Sequence, residues 1–140
     1  MIKGKYFQHK ELTRFDCSPE IEARLQQVCN VLDKIREEFG KAIVITSGYR
    51  PADYNKKIGG ASNSAHVKGW AVDITSANNL SLIQLMEVMA NNGEFNFDQI
   101  INEKPNNIGY PSWIHLSIEP RFRKQKLVFS NNSYKIVPKF

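Results

Sequence analysis

The chain has 140 residues, of which 41% are hydrophobic and 24% charged, and its formal net charge is +5. This mix is typical of soluble globular proteins, and it excludes a disordered tail, a fibrous repeat and a membrane-spanning protein. We expect one domain over residues 1–140. The positive charge suggests an anionic partner, which could be nucleic acid, a lipid surface or an acidic polymer, and charge alone does not choose among them.

The N-terminal residues contain no apolar run of the length that a secretory signal requires, and no stretch approaches the ~20 apolar residues of a membrane span. We therefore expect synthesis in the cytoplasm, or a signal that has been removed.

The two cysteines, Cys17 and Cys29, form no CxxC pair, which excludes a cysteine-rich zinc site. Cys29 lies beside a helical apolar stripe and is expected to be a buried free thiol.

The clearest helix begins after Ser18, with proline at the next position, and ends at Gly40. Between these residues apolar side chains recur at spacings of three and four, which predicts one buried face. A β-branched run, Ala42–Thr46, predicts a short buried strand. The following stretch, Ser47–Gly69, is rich in Gly, Ser, Asn and Pro, and it is expected to be irregular and either functional or disordered.

Further along the chain, Trp70–Ile74 predicts a second strand and Leu80–Ala90 a second helix. Four more strands are expected at Asp98–Asn102, Trp113–Ile118, Lys126–Phe129 and Ser133–Val137. Helices and strands are mixed without a regular βαβ alternation. This order favours an α+β fold with a largely antiparallel sheet.

Two histidines and one aspartate stand out as possible metal ligands. His66 ends the glycine-rich loop, Asp73 lies on the strand that follows, and His115 lies in an alternating strand far downstream. Two imidazoles and one carboxylate suit a catalytic zinc, whose fourth position is left for water. The alternatives are a loop hydrogen bonder for His66, a turn or cap residue for Asp73 and a satisfied sheet histidine for His115.

The motif Ser-x-His-x-x-Gly-x-Ala-x-Asp at Ser64–Asp73, followed by Trp-x-His-x-Ser at Trp113–Ser117, resembles the M15 family of zinc peptidases. This family includes D-Ala-D-Ala carboxypeptidases and dipeptidases and L-Ala-D-Glu endopeptidases, and hedgehog signalling domains share its fold. Further similar runs are Thr46–Pro51, Asn55, Gly59–Ser64 and Asp98–Glu103, so the resemblance covers roughly Phe7–Ile118. The chain looks closest to the short branch often encoded in phages and prophages.

The resemblance implies a hedgehog/DD-peptidase-like fold, with helices packed on one side of the sheet, and it makes His66, Asp73 and His115 the zinc ligands. It also implies that Arg50 holds a substrate carboxylate, for which a guanidinium fork is suited. The alternative is a surface arginine after a tight turn. Ser64 matches a serine that contacts substrate polar groups, and a loop-capping hydroxyl is the alternative role.

A peptidase of this kind needs a carboxylate as general base. Many relatives place an acid three residues before the last histidine, where this chain has Ser112. Glu103, which matches a glutamate of the short branch, is the first candidate. Asp98 is the second, and its alternative role is a strand-entry residue. Trp113 replaces a histidine that some relatives carry, and we expect it to pack in the cleft wall.

These observations lead to an expected function: a monomeric zinc peptidase that hydrolyses a bond in the peptidoglycan stem peptide, as a D,D-carboxypeptidase or an endolysin-like endopeptidase. Zinc would activate water, with Glu103 as base, and the protein would act on the cell wall after release or phage delivery. The alternatives are a non-catalytic zinc-containing binding module and a phage structural module.

The basic cluster Arg121–Lys126 is interpreted as a solvated strand edge or as a patch that attracts anions. No nucleic-acid partner is expected, since no recognition motif accompanies the charge.

Overall fold

A computed structural model describes residues 1–140, with four helices and six strands. In chain order the elements are α1 (His9–Leu12), α2 (Pro19–Phe39), β1 (Ile43–Ser47), α3 (Ala52–Lys57), β2 (Ala71–Ser76), α4 (Asn79–Asn91), β3 (Gln99–Glu103), β4 (Trp113–Ser117), β5 (Gln125–Ser130) and β6 (Ser133–Ile136). None of the four helices combines the length and apolar character that a membrane crossing requires.

The long helix α2 has the ends that its sequence predicts. The Ser18 side chain accepts a hydrogen bond of 3.2 Å from the backbone nitrogen of Ile21, and Pro19 occupies the first turn. The helix ends at Gly40, whose φ of 71° places it in the left-handed region that favours glycine. The predicted apolar face is confirmed, because its central residues, from Leu25 to Ile35, are fully buried.

The six strands form one sheet in the order β1-β2-β4-β3-β5-β6. Every neighbouring pair is antiparallel except β3 and β5, which run parallel. The predicted α+β class with a largely antiparallel sheet is therefore confirmed. The parallel pair places the β5–β6 hairpin directly beside β3.

The two faces of the sheet have different environments because side chains alternate along each strand. Val72 and Ile74 of β2 and Ile114 and Leu116 of β4 are fully buried on one face, where they join the core with α2 and α4. On the other face lie residues of alternate positions, including Asp73 and His115. With α2 and α4 both on the first face, this second face is open to form a site.

Two helices were absent from the sequence prediction. Helix α3 lies within Ser47–Gly69, which was expected to be irregular, and α1 precedes the first predicted element. Each helix buries only one residue, Asn55 in α3 and Leu12 in α1, so neither shows the apolar periodicity that reveals a helix. The predicted strands are all present, with ends that differ by a few residues.

Candidate metal centre

His66, Asp73 and His115 converge on one point of the open sheet face. Asp73 in β2 lies directly opposite His115 in β4, and His66 enters from the loop that precedes β2. The Oδ1 atom of Asp73 is 3.3 Å from Nε2 of His66 and 3.0 Å from Nδ1 of His115. One potential ligand atom from each side chain lies within 4.8 Å of the others. The structure thus brings together all three residues selected from the sequence.

The other nitrogen of His66 determines which atom faces this point. Its Nδ1 lies 2.9 Å from the carbonyl oxygen of Gly48, and because a carbonyl only accepts, Nδ1 carries the proton. In the neutral ring Nε2 therefore presents a lone pair to the Asp73 carboxylate, and either a proton on Nε2 or a metal ion between the two atoms makes that contact favourable. Burial lowers the pKa of His66, which disfavours a proton there. The donor set therefore fits a bound divalent metal ion.

The carboxylate of Asp73 is held in its ionised form. Burial alone would raise its pKa, but hydrogen bonds with His115 and His66 and their charges outweigh that effect, so the pKa lies below its usual range. A guanidinium nitrogen of Arg50 also approaches the second carboxylate oxygen, Oδ2, at 3.4 Å. An ionised carboxylate between two imidazoles is a set of donor atoms suited to a divalent cation.

Arg50 is part of this site and is not a free surface arginine. Its Nε donates to the Ser47 hydroxyl at 3.0 Å, and its Nη1 donates to the amide oxygen of Asn55 at 3.3 Å. The backbone nitrogen of Arg50 also donates to the carbonyl oxygen of His66 at 3.1 Å. These bonds fix the guanidinium beside Asp73, where its side chain remains 16% exposed to the cleft.

Ser64 stabilises the loop that carries His66. Its hydroxyl oxygen accepts a hydrogen bond of 3.2 Å from the backbone nitrogen of His66, which is the loop-capping role considered from the sequence. The residue is half-buried and lines the same cleft, so contact with a bound molecule is also sterically open to it.

Glu103 lies one row further along the open face. It pairs with Trp113 in the β3–β4 hairpin, two residues from the pair formed by Ile101 and His115, so its side chain shares the His115 face. Burial raises the pKa of Glu103. The charge of His115 lowers this pKa, but the nearby negative charge of Asp73 raises it again. No hydrogen bond within the protein engages its carboxylate. This carboxyl group is available to exchange protons in the cleft.

Asp98 has a different environment. It is 1% exposed, and both of its oxygens accept hydrogen bonds, from Arg121 at 3.0 Å and from Arg123 at 2.8 and 2.9 Å. Burial alone would raise its pKa, but the bonds from Arg123 and Arg121 lower it overall. The carboxylate is thus committed to an ion pair. The basic cluster is correspondingly not a simple solvated strand edge, since Lys126 also pairs with Glu87, at 2.9 Å.

One cleft with a volume of about 910 Å³ is lined by all the site residues expected from the sequence: Arg50, Ser64, His66, Asp73, Asp98, Glu103 and His115. The β5–β6 hairpin supplies part of its wall, where the rings of Phe129 and Tyr134 pack with centroids 4.5 Å apart. Trp113 lines the cleft as expected, and the ammonium group of Lys104 lies 5.5 Å from its ring centre. No local sequence pattern indicates that the hairpin forms this wall, because its position depends on the long-range pairing of β5 with β3.

One supporting residue was missed from the sequence. The side chain of Asn79 accepts from the backbone nitrogen of Ser76 at 2.7 Å and donates to the hydroxyl of Thr75 at 3.0 Å and to the carbonyl of Pro111 at 3.1 Å. It thereby joins the end of β2 to the loop that leads into β4. The only sequence signal is an Asn-Asn pair that follows a strand, which is typical of a helix cap.

An imidazole–carboxylate–imidazole group on the floor of an open cleft, with a further carboxyl group nearby, is the arrangement of a metallopeptidase. The chain matches the family described as Peptidase M15 over residues 5–117. It therefore belongs to the M15 peptidase family, whose members are generally metal-dependent hydrolases that act on peptides. No curated protein matches the chain significantly.

Proposed function

We propose that the chain is a zinc peptidase that hydrolyses a bond in the stem peptide of peptidoglycan, and that residues 1–140 act as one monomeric unit. The observation that supports the proposal most is the convergence of His66, Asp73 and His115 on the cleft floor, with Nε2 of His66 facing the carboxylate. Family membership supplies the reaction class.

The three side chains would hold zinc through Nε2 of His66, an oxygen of Asp73 and Nδ1 of His115. Zinc in such a site supplies a Lewis acid that polarises a carbonyl and lowers the pKa of water to about 7. The chain's own contribution is to fix the ligands before the ion arrives. Two of them are locked by strand register, and the third by its hydrogen bond to Gly48.

Glu103 would act as the general base. Its carboxylate would take a proton from the attacking water and then deliver that proton to the leaving amine nitrogen. The raised pKa of Glu103, caused first by burial, makes its conjugate acid easier to retain near neutral pH for the second transfer. Arg50 and Ser64 both line the cleft. Arg50 would bind a substrate carboxylate, and Ser64 would contact substrate polar groups.

A cell-wall stem peptide suits these groups because it combines a peptide bond with free carboxylates. Within this proposal the chain is made in the cytoplasm and reaches the wall after release or on a phage particle. Both a D,D-carboxypeptidase and an endopeptidase would use the same residues, since the two reactions differ only in what lies beyond the cleaved bond.

The proposal can be tested by loading the protein with zinc, digesting purified peptidoglycan and identifying the products by mass spectrometry. We expect one equivalent of zinc, and a loss of metal in His66→Ala. Glu103→Gln should keep the zinc and lower turnover by roughly 10²–10⁴-fold, the usual contribution of a general base. Glu94→Gln, the same change at an exposed site, is the control. Zinc binding without hydrolysis by the wild type would favour the non-catalytic alternative.

A further inference from the structure

The cleft has a second cationic end that the proposed reaction does not use. Arg121 and Arg123 line it together with Arg50, but they pair with Asp98 at the start of β3, which is two strands away from Asp73 on β2. Asp98, which holds them, precedes Ile101 by three residues, and Ile101 pairs with His115. At about 3.3 Å per residue, the arginines are held on the order of 10 Å along the sheet from the His115 row. Arg50 instead approaches from the β1–β2 side.

The two guanidinium groups are held firmly by the protein. Arg123 forms a two-pronged pair with Asp98, from Nε at 2.8 Å and Nη2 at 2.9 Å, and its backbone nitrogen donates to the same carboxylate at 3.0 Å. Arg121 donates only through Nε, also at 3.0 Å. Because Asp98 is 1% exposed, it cannot swing away with its partners. The arginines are therefore positioned before any ligand binds, which reduces the entropy lost on binding.

Each arginine still has hydrogen-bond donors to offer. The side chains of Arg121 and Arg123 are 52% and 35% exposed, and their remaining terminal nitrogens donate to no group of the protein. Glu119 lies 3.0 Å from Nε of Arg121 and is shared with Lys68, at 2.9 Å. The cluster thus has one more positive than negative charge: its cations are Arg121, Arg123 and Lys68, and its carboxylates are Asp98 and Glu119. A planar anion would both neutralise it and engage the open donors.

We propose that Arg121 and Arg123 form a second carboxylate-binding subsite, which recognises an acidic residue of the substrate peptide. This inference rests on the proposed peptidase function. A separation on the order of 10 Å corresponds to roughly three extended peptide residues from the metal centre. The preferred substrate is then a peptide with a free carboxylate about three residues from the cleaved bond, on the side opposite to the group bound by Arg50. Amidation of that carboxylate weakens binding.

The test compares two synthetic stem peptides that differ only in this group, one with the free carboxylate and one with the amide. Their affinities are measured by calorimetry at low salt, with zinc-loaded Glu103→Gln protein so that neither peptide is consumed. We expect the acid to bind about tenfold more tightly than the amide. Adding Arg121→Gln should remove the difference, while Lys124→Gln, the same loss of charge at a neighbouring residue outside the cleft, should preserve it.

Arg121 is the residue to vary because its single bond to Asp98 can be lost with little harm, whereas Arg123 supports the fold through three bonds. Arg121→Lys keeps the positive charge but loses the planar guanidinium group, so it should retain part of the preference for the acid over the amide. This variant replaces Arg121→Gln in the test if Arg121→Gln does not fold. Equal affinities for acid and amide, or a preference unchanged in both Arg121 variants, would overturn the subsite. Hydrolysis of both peptides by the wild-type protein is measured separately. If the wild type hydrolyses neither peptide but still binds the acid more tightly than the amide, the proposed peptidase reaction is wrong and the subsite stands.

Discussion

The imidazole of His66 and the carbonyl of Gly48 form a hydrogen bond of 2.9 Å that decides which nitrogen reaches the metal centre. Gly48 can occupy this position because it lacks a side chain. A Cβ atom there would lie 2.0 Å from the carbonyl oxygen of Leu12, closer than any real contact. The end of α1, the loop after β1 and the candidate ligand His66 are thus packed against one another.

Gly48→Ala should therefore weaken metal binding. The added methyl must displace the loop from Leu12, which moves the carbonyl that orients His66, and loss of such a supporting bond typically costs 10–100-fold in metal affinity. Competition with a chromophoric chelator measures the change. Gly40→Ala is the control: its φ of 71° makes alanine unfavourable there and lowers stability, but it lies at the end of α2 and should leave zinc affinity unchanged. An unaltered affinity in Gly48→Ala would contradict this account of His66.

Zinc should also stabilise the folded protein. The three ligands come from a loop and two strands, so only the folded chain presents them together. For a ligand that binds only the folded state, a concentration of 100 Kd contributes about 2.7 kcal/mol. Urea unfolding with and without zinc measures this difference. His115→Ala should abolish it, whereas His9→Ala, which changes a histidine outside the cleft, should not. A stabilisation that survives in His115→Ala would place the ion elsewhere.

Acid should destabilise the protein through Asp98. Burial alone would raise its pKa, but Arg123 and Arg121 lower it in the folded state below the ordinary value of 3.8. The ion pair contributes fully above that value, and its contribution is lost as the pH falls from about 4 through the lower folded pKa, because the unfolded chain binds the proton first.

Asp98→Asn should remove this pH dependence and lower the free energy of unfolding at neutral pH by about 2 kcal/mol, a modest value because the arginines are partly exposed and water screens the pair. Urea denaturation from pH 7 to pH 3 gives both quantities. Asp16→Asn, at an exposed position, should behave like the wild type. A variant whose stability falls with acid as steeply as that of the wild type would show that other carboxyl groups are responsible.

Asn79→Ala should destabilise the fold by about 1–3 kcal/mol, because the buried amide joins β2 to the loop before β4 and its partners are left unsatisfied. Asn107→Ala, an exposed change in that same loop, should have almost no effect. Chemical denaturation compares the two variants. If they were equally stable, the polar connection would be unimportant for holding the two strands together.

The sequence predicted the parts of the structure that depend on local pattern. Alternation in β4 correctly placed His115 on the face opposite Ile114 and Leu116, and the helix ends of α2 followed from their capping residues. Helix α3 was missed because its buried residue is the polar Asn55, which breaks the usual apolar signature.

The features that escaped prediction depend on contacts between distant segments. No local sequence pattern predicts that β5 pairs in parallel with β3, or that Arg121 and Arg123 form hydrogen bonds with Asp98. The candidate ligands were identifiable from residue type and spacing, but the orientation of His66 was not, since it depends on a carbonyl 18 residues away.

Because β5 pairs in parallel with β3, the β5–β6 hairpin forms part of the cleft wall without contributing to the candidate metal centre. The residues proposed for the reaction and the residues of this wall therefore lie in different parts of the chain. The three candidate ligands and Glu103, the proposed base, lie within residues 5–117, the segment that matches the family, whereas Phe129 and Tyr134 belong to strands outside it. Exchange of the β5–β6 hairpin would alter the cleft wall and leave the pairing of β2 with β4 intact. Such a fold can acquire new peptide preferences by replacing its outer strands alone.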